Sequence, residues 1–313
     1  MIPVYFYIPP HRWPSSLELD GVDPVNFAHG AYNWTFQTYY HLNAAGYPCQ
    51  LVSELPDEGI VIAYRKSFRD DLKPNSRTLL ICIKGDEPWH PYAQFHVVQN
   101  PEEITERFQN RGERHFMPIW IQPGLIPRSP DRGDVLENVA YFGREQNFAS
   151  ELRDPVWQEK LRQQGFTLFV NIDPKRWKDY SYVDAVVAIR SFGSVRFDWK
   201  PPTKLYQAWH ADVPAILGQE SAYRCERKSE LDYIEADSID AVMSGLIRLR
   251  DNKSLHAEMI DNGRMRAKET DVEAMVEQWR KLLTGPATEA YQRWCSKMKI
   301  MHNHYIFKRH PHY

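Results

Sequence analysis

Apolar residues along the chain come in short β-branched runs separated by longer amphipathic or polar stretches, the pattern of strands alternating with helices. Residues 4–8, VYFYI, read as a buried strand. After a proline-rich loop, residues 26–45 carry apolar and aromatic side chains at helical spacing, and Gly46 supplies a stop. CQLV, GIVIAYR, TLLICIK and QFHVVQ then read as four further strands. PEEITERF between them predicts a short helix with an acidic start, and RKSFRDDLKPNS only a loop or a single turn. Such alternation predicts an α/β fold with a mainly parallel sheet.

The extended segment FMPIWIQPGLIPR and the polar SPDRGD have the composition of an interdomain connection, placing a boundary at residues 124–136. A second series follows: VAYFG as strand, LRDPVWQEKLRQQG as helix, TLFVNI as strand, and DAVVAIR as a strand buried on both faces. KPPTKLYQAWH reads as a helix opened by prolines, VPAIL as the next strand, and the loop 218–221 ends it. Four helical stretches close the sequence, the last set off by Gly285-Pro286. The expected organisation is a first domain over 1–130, a second over 131–284 and a final helix over 285–313. No repeat at solenoid spacing occurs.

The length, 313 residues, exceeds what one core usually serves, which agrees with two domains. A composition 42% hydrophobic and 26% charged is that of a folded globular chain, and a formal charge of −2 gives no global field for nucleic acid or an acidic membrane surface. Any anion site must be local. Cys49, Cys82, Cys225 and Cys295 lack metal-ligand spacing and read as reduced thiols, which favours a cytoplasmic setting. No stretch reaches the ~20 apolar residues of a membrane helix, so membrane contact is limited to the periphery.

The candidate chemistry starts at the proline-opened helix. Lys200 and Lys204 sit where the helix dipole places partial positive charge, which costs a few tenths of a kcal/mol per lysine unless an anion is bound. A diphosphate there would find free backbone N–H groups and two ammonium groups beyond the carboxyl end of DAVVAIR, where open α/β sheets place ligands. Two solvated surface lysines are the bland alternative. Arg190 ends the same strand and suits phosphate, with a salt bridge to Asp184 or Asp198 as its competing explanation. Trp177, Tyr180 and Tyr182 are candidates for stacking on a base, or core residues.

KPPTKLYQAWHADVPAIL resembles the donor-site helix and following strand of GT-B glycosyltransferases, with Lys204-Leu205, Gln207-Ala208, Ala211 and Val213-Pro214 in register. YFGR is similar to the strand that opens the second domain of that family, and the match spans roughly residues 138–283. The resemblance implies two Rossmann-like domains facing across a cleft, a nucleoside diphosphate sugar held by the second, and a final helix crossing back to the first. It also implies that Arg144 reaches the donor diphosphate, that Gln207 meets ribose hydroxyls, and that Glu220, beside Ser221 in the loop after PAIL, accepts from sugar hydroxyls. Capping the next helix is the alternative for Glu220. The paired glutamates of many retaining members are replaced by Trp199 and Gln207.

An inverting enzyme would take its general base from the first domain, and His90, in the loop after TLLICIK, is the candidate, with a structural histidine beside Trp89 and Pro91 as the alternative. His29, Gly30 and Asn33 near the first long helix, and Arg65 after GIVIAYR, are expected to approach the phosphates, with a surface ion pair as the alternative for Arg65. No DxD pair follows a strand, so metal-independent transfer without a resident cofactor is expected, to a sugar, glycan or lipid hydroxyl. A sugar-nucleotide epimerase or hydrolase on the same fold and a non-catalytic nucleotide-sugar-binding protein are the rivals. A dinucleotide dehydrogenase is disfavoured because no GxGxxG follows a strand.

Overall fold

The computed structural model describes residues 2–297, 301, 302 and 305, and divides the chain into two compact units, each built on a parallel sheet. The first comprises Met1–Trp120, Trp199–Pro201 and the chain from Val272 onward. Its strands are β1 (Val4–Tyr7), β2 (Gln50–Val52), β3 (Gly59–Tyr64), β4 (Thr78–Ile83), β5 (Phe95–Val98) and β6 (Glu113–Phe116), in the order β2-β1-β3-β4-β5-β6. Every residue of β3, β4 and β5 is buried, the state that continuous apolar runs predict. Strand β6 leaves no strand signature in the sequence, because ERHF has no apolar run.

The helix expected over 26–45 is interrupted. Asp23 caps a 3-10 turn, Pro24–Ala28, by accepting from Val25 N. His29 then turns extended, with its Nδ1 accepting from Ala31 N at 3.2 Å. A π-helix, Ala31–Phe36, passes into the α-helix Gln37–Ala44, and the chain leaves it through Gly46 at φ +76°. The helix predicted for PEEITERF is likewise broken into 3-10 stretches, Pro101–Ile104, capped by Asn100 and ended by extended Thr105, and then Glu106–Arg111.

The helices Val272–Thr284 and Pro286–Cys295 belong to this unit. Met275, Val276, Trp279, Leu282 and Leu283 form the buried face of Val272–Thr284, and Trp279 meets Phe6 edge-on at 6.5 Å. Pro286–Cys295 lies on β3 and β4, and Trp294 Nε1 donates to Asn75 O at 2.8 Å. The return to the first unit therefore starts at Val272, one helix before the Gly285-Pro286 break.

The second unit comprises Ile121–Asp198 and Pro202–Asp271. Its strands β7 (Asn138–Phe142), β8 (Thr167–Asn171), β9 (Ala185–Ala188), β10 (Ala215–Leu217) and β11 (Ile234–Glu235) run parallel in the order β11-β10-β9-β7-β8. The helices Pro155–Gln163, Thr203–His210 and Ser221–Glu226 connect successive strands, and Ile239–Asp251 and Lys253–Ala267 follow. At the amino edge of the sheet, fully buried Asp184 accepts from Arg128 and Arg132 and from the backbone N–H of Glu137 and Asn138. This carboxylate fixes the chain entering β7 to the start of β9. Among the described residues no helix is long and apolar enough to cross a membrane.

Candidate functional site

Because the second sheet is parallel, β7, β9 and β10 deliver their following loops to one edge, the usual ligand edge of such a sheet. The Thr203–His210 helix starts there, with Pro202 as its cap. Leu205 and Tyr206 donate to the Pro202 carbonyl, while the first amides of the helix have no intrahelical acceptor. Lys204, in this first turn, has its Nζ 3.2 Å from Gln207 Oε1 and 5.6 Å from the centre of the Trp177 ring. No carboxylate pairs with it among the described residues. Burial and the nearby Arg190 guanidinium pull its ammonium down to about 7. A partly buried cation without a counter-charge, at a helix start, is the arrangement an anion would complete.

Arg144 follows β7 through Gly143, whose φ of +146° and a would-be Cβ 2.8 Å from Tyr141 Oη require glycine. Tyr141 donates to the Arg144 carbonyl at 2.8 Å, which sets the loop and leaves the exposed guanidinium without an ion pair among the described residues. Arg190, after β9, pairs with Glu220 rather than with either expected aspartate; Asp184 is held by Arg128 and Arg132, and Asp198 by Arg196. Its Nε is buried without a partner.

Three expected donor contacts are spent inside the protein. Gln207 is 4% exposed, and its amide oxygen accepts from Tyr180 Oη at 3.1 Å as well as from Lys204, so it does not face a ribose. Glu220 is buried against Arg190 and makes no cap hydrogen bond, which overrides both the sugar-contact and the capping expectation. Lys200 folds with the first unit: its Nζ lies 2.6 Å from Asp86 Oδ2, and its carbonyl accepts from Asn100 Nδ2 at 3.0 Å. Burial alone would raise the Asp86 carboxyl, and the Lys200 ammonium outweighs it and holds the carboxyl below its usual range. The expected lysine pair is thus divided between the two units. Ser221 is buried, with its N–H donating to Arg196 O at 2.9 Å. Tyr180 is core, stacked on Phe142 at 4.2 Å, and Tyr182 Oη accepts from Asn171.

In the first unit, His90 is 1% exposed and fully engaged. Its Nδ1 accepts from Tyr92 N and Ala93 N, and its Nε2 lies 2.9 Å from the Arg69 carbonyl, to which it can only donate. No ring nitrogen is left to take a proton, so His90 is structural rather than a general base. Arg65 is equally committed, to Asp70 and to the Pro88 and Phe68 carbonyls. Gly30 serves packing, because a Cβ there would stand 2.7 Å from the Tyr64 ring. Asn33 is half-buried, with its N–H donating to His29 O at 3.1 Å. His29 packs edge-on against Tyr64 at 5.6 Å, and burial with the Arg12 charge lowers its pKa.

No family model matches the sequence, and no curated protein matches it. Solved structures do. The Anabaena protein HepE, in complex with UDP-glucose, aligns at a TM-score of 0.54 with 12% identity, over 91% of this chain and 100% of that one. Sucrose-phosphate synthase from Thermosynechococcus elongatus aligns at 0.50 with 15% identity, over 82% of this chain and 78% of that one. The chain has the GT-B glycosyltransferase fold.

In this GT-B chain, Arg144 and Lys204 are the expected donor-site cations without a carboxylate partner among the described residues. In the first unit, Tyr64 Oη donates to Glu87 Oε1 at 3.0 Å, and Lys66 Nζ is 2.5 Å from the same oxygen. Tyr64 ends β3, Lys66 follows it, and Glu87 follows β4. Among the described residues no group of three or more His, Cys, Asp or Glu stands close enough to hold a metal ion.

Proposed function

We propose that this protein is a hexosyl-type glycosyltransferase that moves a sugar from a nucleoside diphosphate sugar to an acceptor hydroxyl. The observation that carries the reading is Lys204: a lysine without a counter-charge, pulled down to about 7, in the first turn of the helix after β9. The UDP-glucose bound by HepE, a protein of the same fold, supports a nucleotide-sugar ligand. The diphosphate would lie against the first amides of that helix, with Lys204 and Arg144 neutralising charge as the leaving group departs. Arg190, steadied by Glu220, contributes from the third side, and the reaction runs without a metal ion.

A second reading, nucleotide-sugar binding without transfer, draws on the same geometry, since His90, Gln207 and Glu220 are all committed internally. Incubation with radiolabelled UDP-, GDP- and ADP-sugars, with a glycan and lipid extract as acceptor and with or without EDTA, separates the readings. Labelled product that survives EDTA supports transfer. Free sugar in the absence of acceptor supports an epimerase or hydrolase, and tight donor binding with neither product supports the non-catalytic reading.

A further inference from the structure

The carboxyl edge of the first sheet carries donors beyond Lys204, Arg144 and Arg190. The chain leaves β1 into the 3-10 turn Pro10–Arg12 and then Trp13, which is 40% exposed. Tyr32 Oη donates to the Trp13 carbonyl at 3.5 Å, tying this turn to the π-helix that His29 precedes. Arg12 is exposed and makes no ion pair or side-chain hydrogen bond among the described residues. His29 has its Nδ1 occupied by Ala31 N, so in the neutral ring the proton is on Nε2, a donor without a partner among the described residues.

Burial, Arg12 and Lys66 lower the His29 pKa, and Glu87 opposes them. Glu87 is itself spent on Lys66 at 2.5 Å and on the Tyr64 hydroxyl at 3.0 Å. The Tyr32–Trp13 bond and the packing of His29 on Tyr64, at the end of β3, set the Arg12 guanidinium, the His29 imidazole N–H and the exposed Trp13 ring along one edge of the sheet. Because β1, β3 and β4 are neighbours in a parallel sheet, that placement follows from the topology.

We propose that the acceptor substrate carries an oxyanion group, a phosphate ester or a carboxylate, which Arg12 and His29 hold at this edge. A guanidinium presents a planar fork matched to either oxyanion, and the imidazole N–H adds one directed bond. Trp13 offers an apolar face to the body of the acceptor. The inference rests on the glycosyl-transfer reading for the word acceptor, but its anion site is measurable without the donor.

Isothermal titration calorimetry of the full chain with phenyl phosphate, phenylacetate and neutral phenyl β-D-glucoside tests it. At least one anionic probe should bind tenfold or more tighter than the glucoside, and its affinity should fall as salt screens the contact. Arg12→Gln, a change of an exposed side chain, should weaken that probe tenfold or more, and His29→Asn less. UDP affinity should be unchanged in Arg12→Gln. Anionic probes binding no better than the glucoside would overturn the proposal, as would binding lost in Lys204→Met and retained in Arg12→Gln, which would place the probe in the second unit. Absence of UDP binding would sink the donor reading alone and leave the probe titrations interpretable.

Discussion

Replacing Asp184 by Asn should destabilise the second unit severely. The carboxylate is fully buried and accepts from Arg128 Nε and Nη2 at 3.1 and 2.9 Å, from Arg132 Nε and Nη2 at 2.6 and 2.7 Å, and from Glu137 N and Asn138 N at 3.0 and 2.8 Å. Every neighbour is a donor, so the amide nitrogen of asparagine must face either a guanidinium or a backbone N–H. Two arginines lose their counter-charge, and removing one partner of a buried pair costs about 3–5 kcal/mol. Burial alone would raise the carboxyl, and the Arg132, backbone and Arg128 hydrogen bonds outweigh it, so its pKa lies below the ordinary value. The stability it provides is then present above the unfolded value of about 4 and lost as pH falls through the folded one. Urea melts of the two proteins at pH 7 and pH 3 should show a gap of about 3–5 kcal/mol that narrows on acidification. A gap below ~1 kcal/mol at pH 7, the range of a surface pair, would refute the reasoning.

Lys204→Met should stabilise the unliganded protein by ~1–3 kcal/mol at pH 6, allowing for solvent at the partly exposed ammonium. The folded ammonium titrates near 7, below its unfolded value, so its cost is fullest below pH 7 and disappears as pH rises towards 10; melts across that range read it. The wild type should bind UDP less tightly as pH rises above 7, as calorimetry would record. Gly85→Ala should cost at least ~2 kcal/mol by chemical denaturation, because the new Cβ would fall 1.7 Å from the Trp34 ring at a φ of +60°. His90→Ala should lose ~1–3 kcal/mol by leaving buried N–H groups unpaired, while turnover per folded molecule stays within threefold of wild type; a hundredfold loss of kcat at full stability would make it a base after all.

The strands and the helix after β9 were legible because buried parallel strands write continuous apolar runs and prolines mark a helix start. Strands β6 and β11, with ERHF and IE, were not, since neither has a run to read. The interrupted helix at His29 depends on a ring nitrogen capturing a backbone N–H, which spacing cannot reveal. At the candidate site, the place of Lys204 in the first turn of its helix was readable from the prolines before it. The fates of Lys200, Glu220 and Gln207 were not, because each is decided by one partner far away in sequence: Asp86, Arg190 and Tyr180. For His90 the sequence leaves a base and a structural histidine both open, and three backbone groups that consume its ring decide for the structural role.

The central claim, a nucleoside diphosphate at the carboxyl edge of the second sheet, is tested most directly by thermal melts of wild type, Lys204→Met and Arg144→Ala with UDP, GDP, ADP, CMP and dTDP, with and without magnesium. A ligand at 100 times its dissociation constant adds about 2.7 kcal/mol of stability. The account predicts stabilisation of the wild type by one diphosphate, independent of magnesium and lost in both variants. Wild type unmoved by every nucleotide, or both variants stabilised as strongly as wild type, would contradict it.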